Sequence, residues 1–368
     1  MRAAIAAPFI SLGRVSLFGA DRSYSTRAVD LVKRSTVIDM LSPFALSFSR
    51  SRSWMTRPET FGAADLKEFR ESGINAFHIA VGTGGPEAYL NTLKFVSGWN
   101  NFLAYHNESC KRIQTTADID HAKAANQIGV IVGVQNSEHF RSPADVVEFY
   151  QLGQRVSQLT YNTRNMIGNG STERRDEGLS DFGVSIVDQM NQVGMVVDVS
   201  HCGDRTTLDA LDLSKKPVLF THINARALSG HVRSKTDEAI RKCAAKGGVM
   251  GITGVRMFVK GDEPTTVEHY LDHFDHVRKL TGPEFLGIGS DIDLHGYDAM
   301  PEPERKALHA NYKAAYKFRE KDDIEGINHP KRMFDVADGL IKRNYSDSEI
   351  EGILGGNFKR VLKQIWGA

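Results

Sequence analysis

The chain has 368 residues, of which 41% are hydrophobic and 25% charged, and its 46 basic and 45 acidic side chains leave a formal net charge of +1. These values are those of a globular enzyme and exclude a wholly disordered or collagen-like chain, and the near-neutral balance argues against a nucleic-acid-binding protein. The three cysteines, Cys110, Cys202 and Cys243, lie far apart in the sequence, so no disulfide framework is predicted.

Residues 1–25 are predicted to be a leader-like or disordered N-terminal arm. Residues 3–13 are small and apolar, Arg2 precedes them and Arg14 ends the run, which is too short to span a bilayer. This pattern slightly favours an exported or periplasmic protein over a cytoplasmic one. No later segment reaches ~18 uninterrupted apolar residues. We therefore expect no membrane span and a single catalytic domain over residues 26–368.

Eight short runs rich in β-branched residues are candidate strands, with helical patterns between them. In chain order the runs are 36–39, 74–81, 130–134, 156–161, 195–201, 217–222, 247–253 and 285–291. Several are almost wholly apolar, as expected of parallel strands that are covered on both faces. Strand and helix alternating eight times predict an α/β fold, a (β/α)8 barrel of the TIM type.

Three further stretches are assigned from composition and capping signals. The Arg/Ser-rich residues 48–63 are predicted to form a loop, and the charged residues 295–330 a polar excursion after the last strand with a helix or two. Ser346 and Glu349 have the spacing of a capping box. The glycines at 355–356 are expected to end the helix that this box begins.

A polar or ionisable residue ends seven of the eight apolar runs. These residues are Asp39, His78, Gln135, Tyr161, His201, His222 and Asp291. Active sites of such barrels are built at the C-terminal ends of the strands, so these side chains are expected to converge in one cup. Neutral imidazoles that hold a cation, with a carboxylate that accepts a proton from water, make up a hydrolytic metal site.

His201 and His222 are the sharpest pair because they end successive strands, and adjacent strands lie about 5 Å apart. Two such imidazoles can reach one ion at bond lengths of about 2.1 Å. Asp291, in GIGSDID, is the candidate base that takes a proton from water. From the residues alone, two alternatives stay open: the histidines as hydrogen-bonded polar residues at the barrel mouth, and Asp291 as a helix N-cap.

Five ordered stretches resemble the membrane dipeptidase family (peptidase family M19) of amidohydrolase-like, metal-dependent hydrolases. They are GLSDFGVSIVDQMNQVGMVVDVSH (178–201), KPVLFTHINARAL (216–228), HVRSKTDEAI (231–240), HFDHVRKLTGPEFLGIGSDID (273–293) and SEIEGILGGNFKRVL (348–362). The resemblance implies an amidohydrolase-like barrel that cleaves a dipeptide or a similar small amide, with zinc or another divalent metal as the cofactor. Family members often pair as homodimers, so a homodimer is also an expectation.

The resemblance also implies roles for individual residues. His201 and His222 match the two histidines of the family's second metal position, and Asp291 matches the last-strand aspartate near the scissile bond. Arg233 matches the arginine that binds the C-terminal carboxylate of the substrate. A planar guanidinium suits that role because it meets a carboxylate with two parallel hydrogen bonds.

The sequence departs from the family at the first metal position. Leu41 and Pro43, in DMLSPF, replace its His-x-Asp pair, and Gln135 replaces its bridging Glu. A neutral amide is a poor substitute for a carboxylate that two cations share. Tyr161 replaces a histidine that contacts the reacting carbonyl, and a phenol can still donate a hydrogen bond to a developing oxyanion.

These departures leave three hypotheses. In the main one, a single zinc ion rather than two is held by the histidine pair, with Gln135 as a weak further ligand, and the substrate is a small peptide-like molecule. In the second, the metal is relocated, with His78, Glu138 or His139 as ligands. In the third, the site lacks a metal and the protein is a diverged, non-peptidase member, either a tailoring enzyme of secondary metabolism or a catalytically silent ligand-binding barrel.

Overall fold

The computed structural model describes residues 14–16 and 23–367. Most of the predicted N-terminal arm, including its apolar run, lies outside the described residues. Within the arm, strand β1 (Arg14–Ser16) pairs antiparallel with strand β2 (Ser23–Ser25). The hydroxyl of Ser25 then caps the first helix by accepting a hydrogen bond from the backbone N–H of Ala28.

Eight parallel strands form the barrel. They are β3 (Ile38–Asp39), β4 (Ala76–Val81), β6 (Ile128–Val134), β7 (Gln154–Gln158), β8 (Val196–Asp198), β9 (Phe220–Ile223), β10 (Met250–Ile252) and β11 (Leu286–Ile288). Their spatial order is β8-β7-β6-β4-β3-β11-β10-β9, and a single parallel bridge between Asp198 and Leu219 joins the two ends. A further strand, β5 (Cys110–Arg112), pairs with β6 outside this path. The barrel is therefore nearly closed, and the prediction of a (β/α)8 fold is confirmed.

Helices alternate with these strands along the chain. They are α1 (Thr26–Arg34), α2 (Phe48–Thr56), α3 (Ala63–Glu71), α4 (Ala88–Tyr105), α5 (Thr116–Ala124), α6 (Pro143–Gln151), α7 (Asp181–Val193), α8 (Asp204–Leu213), α9 (Arg226–Ser229), α10 (Asp237–Ala245), α11 (Arg256–Val259), α12 (Val267–Thr281), α13 (Glu302–Ala310), α14 (Arg332–Lys342), α15 (Asp347–Glu351) and α16 (Asn357–Trp366). Over the part of the chain that the structure describes, none of them combines the length and the apolar character that crossing a bilayer requires.

All eight predicted strands are present, but most are shorter than the apolar runs that indicated them. The run at 195–201, for example, contains strand only at Val196–Asp198. The N–H of Val199 still donates to the carbonyl oxygen of Leu219 at 3.1 Å, and the backbone leaves the sheet ladder at Ser200, whose N–H bonds to the Asp198 carboxylate instead, at 3.0 Å. Gln135, Tyr161, His201 and Asp291 lie on irregular backbone just beyond their strands, whereas Asp39, His78 and His222 lie within β3, β4 and β9.

The prediction of a loop over residues 48–63 is wrong, because this segment contains α2. Ser47 caps the helix by accepting a hydrogen bond from the N–H of Arg50. Of the nine helical residues only Trp54 is buried, where its ring meets Phe61 edge-on at 5.1 Å. With so narrow a buried face, the sequence of α2 lacks the apolar periodicity that indicates a helix.

The excursion over 295–330 contains α13 and a short 3-10 turn (Ala314–Tyr316), as predicted. The capping box of Ser346 and Glu349 is also present. The prediction that the glycines at 355–356 end this helix is confirmed: the helical run continues past Glu351 as a π-helical turn, and Gly355, with a non-helical backbone (φ 167°, ψ −16°), separates it from α16. A Cβ at Gly355 would lie 2.4 Å from the carbonyl oxygen of Thr36, so this glycine lets the turn pack against the opening strand.

Candidate active site

His201 and His222 meet at the C-terminal ends of β8 and β9. Their Nε2 atoms lie 3.0 Å apart, and the side chains are 1% and 0% exposed. Burial, together with the nearby guanidinium of Arg233, holds the pKa of both imidazoles well below the ordinary value, so both rings are neutral. The structure therefore brings together the two histidines that the sequence singled out.

The protons on these two rings are fixed by their neighbours. Nδ1 of His201 lies 2.7 Å from the side-chain oxygen of Asn162, which can only accept, so this nitrogen carries the proton. Nδ1 of His222 lies 2.8 Å from the hydroxyl of Thr221, and that hydroxyl donates its own proton to the Asp198 carboxylate at 2.6 Å. Each neutral ring has one N–H, so both Nε2 atoms present lone pairs to each other.

Two lone pairs that face each other at 3.0 Å repel unless a cation binds both. Zinc–nitrogen bonds are about 2.0–2.1 Å long, so one ion can reach both Nε2 atoms. Asn162, Thr221 and Asp198 hold the rings in the orientation that such an ion needs. The described residues contain no group of three or more His, Cys, Asp or Glu side chains that could hold a metal. The two imidazole nitrogens are donors of the type that divalent ions such as zinc bind.

The opening strand offers no metal ligands. Leu41 is fully buried and Pro43 lines the cleft described below. Asp39 is engaged in a buried ion pair with Arg332, with 3.0 Å between Oδ2 and Nη2 and side chains that are 0% and 1% exposed. The Asp39 carboxylate also accepts a hydrogen bond from the backbone N–H of Ser290 at 2.8 Å. The residues at this position do not fit a metal ion.

Several buried polar atoms near the barrel mouth have no hydrogen-bond partner among the described residues. They include Oε1 of Gln135, Oε1 of Gln158, Nδ2 of Asn162 and Nε2 of His78. His78 donates from Nδ1 to the carbonyl oxygen of Met40 at 2.6 Å, and its Nε2 lies against Gly133 inside the barrel, where a Cβ would be 2.0 Å away. Such unpartnered groups mark a place that water, an ion or a ligand completes.

Glu138 and His139, the other candidates for a relocated metal, are engaged within their own part of the fold. The Glu138 carboxylate accepts hydrogen bonds from the backbone N–H of Gly85 at 3.0 Å and from Nδ2 of Asn136 at 3.1 Å. The ring nitrogens of His139 lie 3.1 Å from the carbonyl oxygen of Asn136 and 3.2 Å from Oε1 of Gln154. The described residues thus offer no ligand set for a relocated metal.

Asp291 follows β11 with a left-handed backbone, at a φ of 60°. Its N–H donates to the carbonyl oxygen of Leu41 at 2.8 Å, and the residue lines the cleft. Burial raises the pKa of the Asp291 carboxyl to about 7, although Arg233 acts in the opposite direction. A carboxyl group that titrates near neutrality in a cleft can accept and release a proton under physiological conditions.

Tyr161 lies between the cleft and the histidine pair. Its ring stacks on His201 with 4.2 Å between centroids and 20° between planes, and its hydroxyl lies 2.7 Å from that of Tyr312. Burial raises the pKa of the Tyr161 phenol well above its ordinary value, so the hydroxyl keeps its proton. Among the described residues the cleft surface includes Tyr161 but neither histidine.

Arg233 is a buried cation without a carboxylate partner among the described residues, and it is 1% exposed. One of its Nη atoms donates to the carbonyl oxygen of Ser200, while Nε and the other Nη have no hydrogen-bond partner there. Its guanidinium carbon lies 5.2 Å from the centre of the Phe258 ring. Because a buried charge is costly without a counter-ion, this position suits an anionic group of a ligand.

The cleft that these groups border has a volume of about 650 Å³. Four polar residues line it next to the candidate site: Gln135, Tyr161, Asn162 and Asp291. One wall comes from α2, α4 and the segment before α2, with Phe44, Phe48, Met55, Phe95 and Trp99. The other comes from the excursion, with Tyr297, Met300, Leu308 and Tyr312. A ligand of drug-like size fits a cleft of this volume.

Sequence reasoning missed several residues that build this site. Asn162 and Asp198 stand next to or near predicted residues in LTYN and DVSH, and these short polar motifs could have indicated them. Arg332 contacts Asp39, which lies 293 positions earlier in the chain, and Tyr312 contacts Tyr161, which lies 151 positions earlier. No local pattern reports a contact of that separation. The one local signal for Tyr312 is a second aromatic residue, Tyr316, four positions later, and the two rings stack with 4.6 Å between centroids.

Comparison with known proteins places the chain in a group of related enzymes. A family model described as membrane dipeptidase (peptidase family M19) matches residues 25–304. An uncharacterised dipeptidase of Schizosaccharomyces pombe is 28% identical over 283 residues, and human dipeptidase 3 is 25% identical over 264. These matches cover 74% and 70% of this chain but only 62% and 49% of the relatives' length.

Solved structures agree with the barrel. An amidohydrolase from Pseudomonas aeruginosa has a TM-score of 0.79 at 28% identity, over 93% of this chain and 99% of that one. A metallo peptidase from Rhodobacter sphaeroides, bound to a phosphinate mimic of the dipeptide L-Ala-D-Ala, has a TM-score of 0.73 at 18% identity, over 90% and 99%. At that identity the second likeness is one of fold.

Proposed function

The chain belongs to the membrane dipeptidase family, peptidase family M19, and we propose that it hydrolyses the amide bond of a dipeptide or a similar small molecule with the help of one divalent ion. The observation that carries this proposal is the pair of Nε2 lone pairs of His201 and His222, 3.0 Å apart beside the cleft. Zinc is the proposed ion because imidazole nitrogen is among its preferred ligands.

His201 and His222 would hold the ion, and Gln135 is a weaker candidate ligand through its unpartnered Oε1. When bound, such an ion supplies Lewis-acid polarisation of a carbonyl oxygen and lowers the pKa of water. The opening-strand position of the family, here Leu41 and Pro43, has no side chain that coordinates. The proposed stoichiometry is therefore one ion per chain.

The other site residues bind the substrate and move protons. Arg233 binds the substrate carboxylate, because its buried guanidinium lacks a counter-ion among the described residues. The Asp291 carboxylate takes a proton from the attacking water and passes it to the leaving amine. The Tyr161 hydroxyl, which keeps its proton, donates a hydrogen bond to the oxygen on which negative charge develops.

The test is hydrolysis of dipeptides by the purified chain with added zinc or manganese. We expect activity in the wild type and its loss in His201→Ala and His222→Ala, with bound zinc falling from one ion per chain to none. The matched control is His121→Ala, which removes an exposed histidine from α5 and leaves activity and zinc content unchanged.

Full activity in His201→Ala would overturn the proposal, and two zinc ions per chain would overturn its stoichiometry. A wild-type chain that binds no metal and cleaves no dipeptide would favour the diverged, non-peptidase alternative.

A further inference from the structure

The candidate site borders two spaces of very different size. One is the cleft of about 650 Å³, and the other is a much smaller space of about 20 Å³ between the rings of Phe258, Tyr297 and Tyr316. The smaller space has room for about one water molecule. Tyr161 and Asp291 line both spaces, so a bond that reacts beside them has a roomy side and a cramped side.

The position of Arg233 tells which end of a substrate lies on which side. Its guanidinium carbon is 5.2 Å from the centre of the Phe258 ring, and Phe258 lines the small space and is not among the residues of the cleft. A carboxylate bound by Arg233, which itself lines neither space, therefore leaves the side chain of the C-terminal residue facing the small space, where a hydrogen or a methyl group fits and a ring does not. The side chain of the N-terminal residue then extends into the cleft.

The far wall of the cleft is aromatic and incompletely covered by the protein itself. Phe44 and Trp99 meet edge-to-face with 5.3 Å between ring centroids and 81° between planes. Phe48, at the start of α2, leaves 52% of its surface exposed, and the indole N–H of Trp99 has no hydrogen-bond partner among the described residues. An aromatic or branched apolar group fits this wall because rings prefer such edge and offset contacts.

We propose that the substrates have a large aromatic or branched apolar side chain on the residue before the scissile bond, and glycine or alanine after it. This inference rests on the proposed function as an amide hydrolase and on Arg233 as the carboxylate site. Burying a phenylalanine-sized side chain in the cleft raises kcat/KM by about ten- to a hundredfold. The reversed dipeptide has no space for its ring on the Arg233 side.

The direct test compares Phe-Gly with Gly-Phe as substrates of the full-length, zinc-loaded protein. The expected result is a kcat/KM at least about tenfold higher for Phe-Gly. Equal values, or a preference for Gly-Phe, would overturn the inference while leaving the amide hydrolase proposal intact.

Variants of the aromatic wall test whether its side chains cause the preference for Phe-Gly. Phe48→Ala and Phe95→Ala should each lower the ratio of kcat/KM for Phe-Gly to that for Gly-Gly, by several-fold or more. Phe48 is half exposed, so its replacement does not endanger the fold. Leu90→Ala is the matched control, since Leu90 is an exposed residue of α4 that does not line the cleft. A ratio that stays unchanged in both wall variants counts against the inference.

Binding separates this inference from the hydrolase proposal. Analogues of Phe-Gly and Gly-Phe in which a methyleneamine replaces the amide bind without being cleaved. The Phe-Gly analogue should bind at least about tenfold tighter by calorimetry. If no dipeptide is hydrolysed but this difference in affinity is found, the proposed function fails and the specificity of the cleft stands. Equal affinities would refute the specificity.

Discussion

Two corners of the barrel mouth differ in whether their buried polar groups are compensated by other groups of the protein. The histidine corner consists of His201 and His222 with Asn162, Thr221 and Asp198. In it, every hydrogen bond that orients the rings leaves the two Nε2 lone pairs facing each other at 3.0 Å. In the proposed function, a divalent ion bound by both nitrogens completes this corner.

The opening-strand corner consists of Asp39, Leu41 and Arg332. Here the carboxylate is neutralised within the protein, because Arg332 lies 3.0 Å from Asp39. The guanidinium also donates to the carbonyl oxygen of Asp293 and to the hydroxyl of Ser42, each at 2.9 Å. Leu41 fills the neighbouring space with hydrocarbon. The comparison teaches that one corner leaves its lone pairs uncompensated, as the proposed ion site requires, and that the other compensates its buried charge within the protein.

The largest expected effect comes from removing the ion pair of the opening-strand corner. Arg332→Ala leaves Asp39 as a buried charge without a partner and should lower the free energy of unfolding by about 3–5 kcal/mol in urea titrations. Lys215→Ala is the control, because its ion pair with Asp188 is exposed and should contribute under about 1 kcal/mol. A loss in Arg332→Ala as small as in the control would show that the pair does not stabilise this corner.

A second experiment concerns Asp291, whose backbone is bonded to the opening-strand corner. Since burial raises its pKa from 3.8 to about 7, the folded state binds this proton more tightly than the unfolded state. The resulting stabilisation is full below about pH 4 and is lost as the pH rises to 7, a change of about 3 kcal/mol.

Unfolding of the chelator-treated wild type and of Asp291→Asn, measured from pH 4 to pH 7, checks this difference. Asp291→Asn should lack the loss of stability, whereas Asp188→Asn, which removes an exposed carboxylate, should follow the wild type. Parallel curves for the wild type and Asp291→Asn would mean that Asp291 titrates as an ordinary carboxyl group.

The smallest expected effect is on the zinc affinity of the histidine corner. Thr221→Val keeps the shape of the side chain but removes the hydroxyl between His222 and Asp198, so the ring loses its fixed orientation. Zinc affinity, measured by competition with a chelator, should fall by about ten- to a hundredfold. Thr281→Val, at the end of α12 and away from the site, should leave it unchanged. An unaltered affinity in Thr221→Val would mean that this bridge does not position the metal ligand.

The sequence by itself determined the barrel and the residue types at its mouth. Alternating apolar runs and helical patterns are local signals, and so is a histidine or aspartate at the end of a run, as at His201, His222 and Asp291. The same local signals failed at α2, because a helix with Trp54 as its one buried residue has no apolar period to detect.

Only the tertiary structure decided which atoms of these residues are available. The lone pairs of His201 and His222 point at each other because Asn162, Thr221 and Asp198 hold the opposite ring nitrogens. Asp39 is withdrawn from any metal by Arg332, 293 residues further along the chain. Contacts between strand ends and distant helices decide which ring nitrogens carry protons, how much space the cleft leaves and which buried charges are paired. Such contacts form only when the chain is folded.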